Sequence, residues 1–320
     1  MSVLKIAQEI IEGKRLTRDM DLKWLISADL EELCKGADNI RRHFREKRVD
    51  LCSIINGRSG KCSENCKFCA QSAHNCTGIR EYGFLESEKI LEECKYNEAR
   101  GVDRFAIVTA GRTLSGEDFE KSLETFRLLR KECDIKLCAS HGLLTQEQFF
   151  KLREAGVSRY HANIETSRRY FPYICTSHTF DDKIECIKRA KKAGFEVCSG
   201  GIIGMGENWE DRIDMALTLS ELEIDSIPIN ALMPIKGTPL ENNEPLSEED
   251  ILRTVAIFRY IVPTAGVRLA AGRNLMKNCG EKAFLSGADS TITGDMLTTS
   301  GNKIADDVEM LKKMGFELKK

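Results

Sequence analysis

Three times in this sequence a charged stretch with helical spacing ends on a glycine and gives way at once to a short apolar run: at Gly101, Gly156 and Gly194. A glycine just past the last helical residue supplies the left-handed conformation that ends a helix. The apolar runs are β-prone: RFAIVTAG, DIKLCAS, SRYHANIE, FEVCSGGIIG, DSIPINAL, GVRLAAG and ADSTITG, preceded by VDLCSIIN at residues 49–56. Between them lie SEKILEECKYNEAR, TQEQFFKLREA, DDKIECIKRAKKA and SEEDILRTVAIFRYI. Three helices open on a capping-box pattern, Thr145 with Gln148, Thr179 with Asp182 and Ser247 with Asp250, in which each side chain satisfies the other's backbone N–H. Such alternation is the mark of βα units around a parallel sheet. Eight candidate strands predict a (β/α)8 TIM-type barrel, with a doubly wound open sheet as the alternative. Residues 1–45 read as a helical N-terminal extension, 46–300 as the barrel and 301–320 as a C-terminal helix with a basic end.

The 320 residues carry 48 Lys+Arg against 50 Asp+Glu, and a net charge of −2 gives no electrostatic footprint for nucleic acid or an anionic membrane. No uncharged run approaches the roughly 18 residues of a membrane span. The N-terminus, MSVLKIAQEIIEGKR, is broken by charge too often for a signal peptide, so a cytoplasmic setting is expected. Thirteen cysteines without a secretion signal argue against a disulfide framework, and an odd number would leave one unpaired. Metal chemistry is the expectation for some of them.

The most specific cluster is Cys62, Cys66 and Cys69, a C-x3-C-x2-C in the glycine-flanked loop after the first strand candidate. In a barrel that loop lies on the C-terminal face, where chemistry sits. Three thiolates from one loop can hold a soft metal centre. They suit a four-iron cluster with one iron open to substrate, whereas structural zinc wants a closed set of four. His74 or Cys76 as fourth ligand would give such a closed zinc or ferredoxin-like site, and spacing leaves that alternative open.

With an aromatic, Phe68, before its last cysteine, this motif resembles that of the radical S-adenosylmethionine (radical SAM) enzymes. The resemblance implies a 4Fe-4S cluster on Cys62, Cys66 and Cys69 whose open iron binds SAM. One electron then cleaves the sulfonium to a 5′-deoxyadenosyl radical. CKFCAQSAH, NIETS, VCSGGIIGMGE, SIPINAL, PIKGTPL, VRLAAGR and LTTSGN, in that order, resemble the biotin synthase family over about residues 45–300. That family inserts sulfur into dethiobiotin, drawing it from an auxiliary iron–sulfur cluster, two-iron in the family, deeper in the barrel. By this resemblance Cys138, Cys198 and Arg268 match ligands of the second cluster, although an arginine normally only donates. Phe68, Asn163, Glu165, Gly200, Gly201 and Gly204 match the SAM-binding wall, the glycines allowing close backbone approach or simply a tight turn. Asn163, Asn230, Thr298 and Thr299 match substrate contacts, Asn230 toward the ureido ring. A flavodoxin- or ferredoxin-type electron donor and a homodimer are likewise implied.

Two positions depart from the family pattern. Glu165 stands where an aspartate is expected, and Ala106 where the first auxiliary-cluster cysteine belongs. A methyl group cannot bind iron. Cys52, on the strand candidate beside that of Ala106, is the substitute thiol favoured here, with Cys76 as a second candidate. Cys34, Cys94, Cys133, Cys175, Cys186 and Cys279 fall outside any motif and read as incidental. The five histidines, at 43, 74, 141, 161 and 178, form no ligand cluster in sequence, though His141 stands close enough to Cys138 to line a cavity. Two rivals remain at this stage: a hydrogenase-maturase-like radical SAM enzyme, and a non-catalytic iron–sulfur or zinc module.

Overall fold

The structure, a computed structural model, describes residues 2–294, 297 and 301–318. Nine parallel strands form one sheet: β1 (Asp50–Arg58), β2 (Arg104–Thr109), β3 (Lys136–Ser140), β4 (Arg159–His161), β5 (Glu196–Cys198), β6 (Gly201–Ile203), β7 (Ser226–Ala231), β8 (Gly266–Leu269) and β9 (Ser290–Ile292). β1 pairs with both β2 and β9, and the ring shuts where Cys198 of β5 pairs with Ser226 of β7. β5 and β6 are the two halves of one stave, so the barrel has the eight staves expected, closed and not an open doubly wound sheet.

The helices stand where helical spacing placed them, at Ser87–Glu98, Gln146–Glu154, Phe180–Lys192 and Glu248–Ile261. The three expected capping boxes are formed, and a fourth joins Asn208 to Asp211 at the start of helix Trp209–Glu221. Gly101, Gly156 and Gly194 all have positive φ, as their helix-ending role demands. Helices Val3–Ile11, Trp24–Ser27 and Leu30–Arg45 precede the barrel, and the last packs on Glu248–Ile261. That close approach depends on Gly36, since a Cβ there would sit 1.9 Å from the Tyr260 hydroxyl. Between β8 and β9 no long helix forms; two 3-10 turns and the short helix Glu281–Phe284 make the connection. Helix Ile304–Lys313, the last among the described residues, is tied back by the buried pair of Arg273 with Asp307 at 2.8 Å.

Side-chain alternation divides the barrel into two faces. Phe105, Leu137, Tyr160, Val197, Ile227 and Val267 point outward under the helices and are fully buried there. The register Ala106 to Cys138, Cys138 to Arg159, His161 to Cys198, and Arg268 to Ser290 lines up the other face, which points into the lumen. This lumen is polar and thiol-rich, unlike the apolar layers that fill a TIM barrel used purely as scaffold.

Candidate active site within the barrel

Inward parity places Cys52 on β1, Cys138 on β3, Cys198 on β5 and Arg268 on β8 in one lower layer of the lumen. Each is nearly inaccessible to solvent. The charges that bear on the Cys52 thiol are those of Arg268, Cys138, Asp50 and Cys198, so the four groups share one space. Burial pushes Cys52 up to about 12 and raises Cys138 as well. Cys198 behaves differently. Burial works to raise it, but a hydrogen bond with His161 and the cations Arg268 and Arg159 outweigh burial and hold it down at about 6. Ala106 lies in the same layer, with Ile54 and Cys138 as its strand neighbours.

Beneath the thiols lies a layer of arginine and carboxylate. Asp50 Oδ2 accepts from Arg268 Nη2 at 3.0 Å, Arg159 Nη1 at 3.3 Å and Arg104 Nε at 3.4 Å. Glu196 takes Arg104 and Arg159 at 2.9 Å each. Burial alone would raise the Asp50 carboxyl, yet the three guanidiniums hold it below the ordinary range. Arg268, 2% exposed, also donates to the Thr291 carbonyl at 3.0 Å and is held above its usual value. In this arrangement it is a cation and a donor.

At the upper end the loop after β1 is built by its own backbone. Cys62 N donates to the Gln71 carbonyl at 3.1 Å, Ala73 N to the Cys62 carbonyl at 2.8 Å, and the Asn75 amide caps the Cys69 carbonyl at 2.8 Å. Among the described residues the sulfurs of Cys62, Cys66 and Cys69 are not gathered within 4.8 Å of one another. A spread of that kind fits a many-iron cluster better than one ion bound by all three. Neither fourth-ligand candidate closes the set: His74 turns its ring to the Ser63 carbonyl at 3.1 Å, and Cys76 is exposed. Phe68 is partly buried against the core.

Facing this loop, the expected SAM and substrate residues gather around the break in the fifth stave. Gly200 N donates to Asn163 Oδ1 at 3.0 Å, and Asn230 Nδ2 donates to the Gly201 carbonyl at 3.0 Å. The strand breaks there because Gly200 spends its N–H on a side chain instead of on the ladder. The Asn230 carbonyl accepts from Ala271 N at 3.2 Å, so that amide braces three staves. A Cβ on Gly200 would lie 2.0 Å from the Pro228 carbonyl oxygen, and one on Gly201 2.3 Å from that of Glu165. These two glycines therefore serve close approach of neighbouring strands. Gly204 and Gly206, both at positive φ, form the tight turn, and Glu207 bonds the N–H groups of Gly204 and Met205 at 2.8 Å each. Glu165 itself holds φ 71, a strained value for a residue with a side chain. Its Oε1 lies 3.8 Å from Lys183, and its Oε2 is buried with no hydrogen-bond partner. Asn56 Oδ1, on β1, is likewise buried without a partner. Unpaired polar atoms of this kind in a lumen wall fit a polar ligand such as SAM. Thr298 and Thr299 lie outside the described residues.

Two contacts carry no signal in the sequence, one at Cys175, read there as incidental, and one at His161, read there as outside any ligand cluster. Cys175 Sγ lies 3.7 Å from Cys66 Sγ and 3.3 Å from His178 Nδ1. His161 meets Cys198 in the lower layer. No local pattern announces these contacts, which join residues far apart in the chain.

A cysteine loop above the C-terminal face of a closed parallel barrel, opposite a carboxylate with one unpartnered oxygen, is the layout of a radical SAM enzyme, and the description "Radical SAM superfamily" matches residues 58–219. "Biotin and Thiamin Synthesis associated domain" matches residues 228–317. The chain belongs to the biotin synthase family: it is 61% identical over 318 residues to the biotin synthase of Alkaliphilus metalliredigens, covering 99% of this chain and 100% of that one. The biotin synthase of Clostridium beijerinckii is 60% identical over 314 residues, covering 98% and 99%. Among solved structures, a methylornithine synthase superposes with a TM-score of 0.84 at 23% identity, covering 98% of this chain and 97% of that one. The FeFe-hydrogenase maturase from Carboxydothermus hydrogenoformans gives 0.79 at 18%, covering 98% and 78%. Both structural likenesses establish the fold alone, so the maturase rival has no support beyond the barrel it shares. The family implies a 4Fe-4S cluster and SAM. Among the described residues no helix is long and apolar enough to cross a membrane.

Proposed function

We propose that the chain converts dethiobiotin into biotin with sulfur from an auxiliary cluster held by Cys52, Cys138 and Cys198. The observation that carries this reading is the meeting of those three thiols, with Arg268, in one buried layer below the radical SAM loop. When bound, the cluster on Cys62, Cys66 and Cys69 with SAM supplies the hydrogen-abstracting radical, and the auxiliary cluster supplies sulfide. The chain's own residues do the rest. Glu165, with Asn163 beside it, presents an unpaired carboxylate oxygen suited to ribose hydroxyls. Asn230, with one amide hydrogen and one carbonyl lone pair beyond its two backbone bonds, suits the ureido group. Phe68, Gly200, Gly201 and Gly204 complete the SAM wall, and Thr298 and Thr299 remain assigned to the substrate's carboxylate end. His161 keeps Cys198 ready as a thiolate. Arg268 keeps the place of an auxiliary-cluster ligand that the family resemblance gives it, its guanidinium held beside the thiols by the Asp50 carboxylate at 3.0 Å. A flavodoxin- or ferredoxin-type electron donor, a homodimeric state and a cytoplasmic setting accompany this reading, carried by the family resemblance.

The test is anaerobic incubation with a one-electron reductant, SAM and dethiobiotin, reading biotin and 5′-deoxyadenosine. Cys52→Ala, reconstituted in parallel, should lose iron and sulfide relative to the parent. Unchanged counts with unchanged biotin yield would remove Cys52 from the cluster.

A further inference from the structure

Cys66 is the radical SAM loop cysteine whose sulfur points at a second set of ligands. Its Sγ, Cys175 Sγ and a ring nitrogen of His178 lie within 4.8 Å of one another, and this is the group of metal-ligating side chains so gathered among the described residues. The two sulfurs are 3.7 Å apart. Two thiolates on one tetrahedral zinc, each at about 2.3 Å, stand about 3.8 Å apart. A thiolate and an imidazole nitrogen on the same ion stand about 3.5 Å apart, and His178 Nε2 is 3.8 Å from Cys175 Sγ.

The outer contacts are those of a metal-bound histidine. His178 Nδ1 is the ring nitrogen nearer to Cys175 Sγ, at 3.3 Å, but it is taken by Glu64 Oε2 at 2.6 Å, which leaves Nε2 as the ligating nitrogen. A carboxylate on the far ring nitrogen fixes the tautomer and sharpens the ligand. Glu64 is held by the Ser177 hydroxyl at 2.9 Å. Asn65 Oδ1 accepts from Thr176 N at 2.9 Å and Ser177 N at 3.1 Å, and Lys67 N donates to the Ile174 carbonyl at 2.9 Å. The segment bearing Cys175 and His178 is therefore stitched to the segment bearing Cys66 before any ion arrives. Cys175 and His178 are both buried.

We propose that the cluster-free chain binds one tetrahedral divalent cation, Zn2+ or Fe2+, through Cys66, Cys175 and His178 Nε2, with a water in the fourth position. Two thiolates, one imidazole and an open position are a known zinc arrangement. Because Cys66 serves both sites, this cation and the radical SAM cluster exclude each other. Zinc at this site blocks cluster assembly on the loop. The inference is independent of what the enzyme makes.

Cobalt(II) titration of the reduced, full-length, cluster-free chain tests it. One equivalent should bind with a thiolate-to-cobalt charge-transfer band and tetrahedral d–d bands. The Cys62→Ala/Cys69→Ala double variant should keep both. Cys175→Ser and His178→Gln should each weaken binding at least tenfold, and Glu64→Gln by a smaller factor. In the unsubstituted chain, one equivalent of Zn2+ should slow alkylation of Cys66 and Cys175, mapped by mass spectrometry, while Cys62 and Cys69 react as before. Protection of Cys62 and Cys69 instead, or cobalt spectra lost in the double variant and kept in Cys175→Ser, overturns the proposal.

Discussion

Replacing Gly201 with alanine puts a methyl group 2.3 Å from the Glu165 carbonyl oxygen and 2.4 Å from Met215 Sδ. Ordinary contact begins near 3.4 Å, so each neighbour must retreat by about 1 Å. The methionine can turn aside, being flexible. The carbonyl cannot move alone, because it accepts from Ile202 N at 2.8 Å while Glu165 N donates to the Gly200 carbonyl at 3.1 Å. Overpacking costs about 1–3 kcal/mol, and each weakened backbone bond about 1 kcal/mol. Taken together, with part of the strain relieved by movement, the loss should be about 2–4 kcal/mol. At a urea slope of about 3 kcal/mol/M that is a midpoint lowered by about 1 M. Denaturation of the reduced, cluster-free chain reads it directly, with Gly83→Ala as control. A methyl at Gly83 meets nothing within 4 Å, so that variant should match the parent or gain up to about 1 kcal/mol. The displaced Glu165 should also weaken SAM binding in the reconstituted enzyme, read by anaerobic equilibrium dialysis. A Gly201→Ala midpoint within about 0.2 M of the parent would refute the argument that this stave is packed backbone to backbone.

Three further outcomes are expected. Cys198→Ala should still cleave SAM, giving 5′-deoxyadenosine, while losing sulfur insertion; normal biotin production by that variant would end the role assigned to Cys198. Arg259, fully buried, donates to the carbonyls of Gly287, Pro263 and Ala265 and to Asp289 at 2.7–2.9 Å, so Arg259→Met should cost about 3–5 kcal/mol in urea denaturation, and a loss under 1 kcal/mol would contradict it. Burial holds His141 down at about 4 with its Nε2 unpartnered, so the unfolded chain takes up a proton near pH 6.5 before the folded one does. Its contribution is present above pH 6.5 and is lost as pH falls toward 4, by up to about 3 kcal/mol. His141→Gln should flatten that part of the stability–pH curve, and an unchanged slope would show that another group titrates there.

The barrel was legible because its staves repeat a local code: apolar residues on the outward parity, a helix-ending glycine at 101, 156 and 194, and a capping pair before several of the helices. Cys62, Cys66 and Cys69 were legible for the same reason, since one loop carries all three. What escaped the sequence is set by contacts across the fold. Cys175 looks incidental, and His178 belongs to no ligand cluster in sequence, because their partners Cys66 and Glu64 are 109 and 114 residues away. The pairing of Arg268 with Asp50 spans 218 residues, so no local pattern announces the partner of a side chain that the family resemblance assigns to the auxiliary cluster. FEVCSGGIIG reads as one strand, and the break at Ser199–Gly200 depends on the Asn163 amide from the neighbouring stave.

That broken stave carries Cys198 in its lower half and Gly201, next to Glu165, in its upper half. Two residues outside the strands, Ser199 and Gly200, lie between Cys198 and Gly201, so the three residue steps span at most roughly 10 Å. The stave is thus a ruler, and the gap between the lower thiol layer and the level of Glu165 is set by covalent bond lengths and not by flexible loops. Its graduations are single residues, and one inserted between Cys198 and Gly201 would have to be taken up between two strand ends that are each fixed by pairing to their neighbours. Loops on the rim can take up added residues freely, but this interval is pinned by strand pairing at both ends.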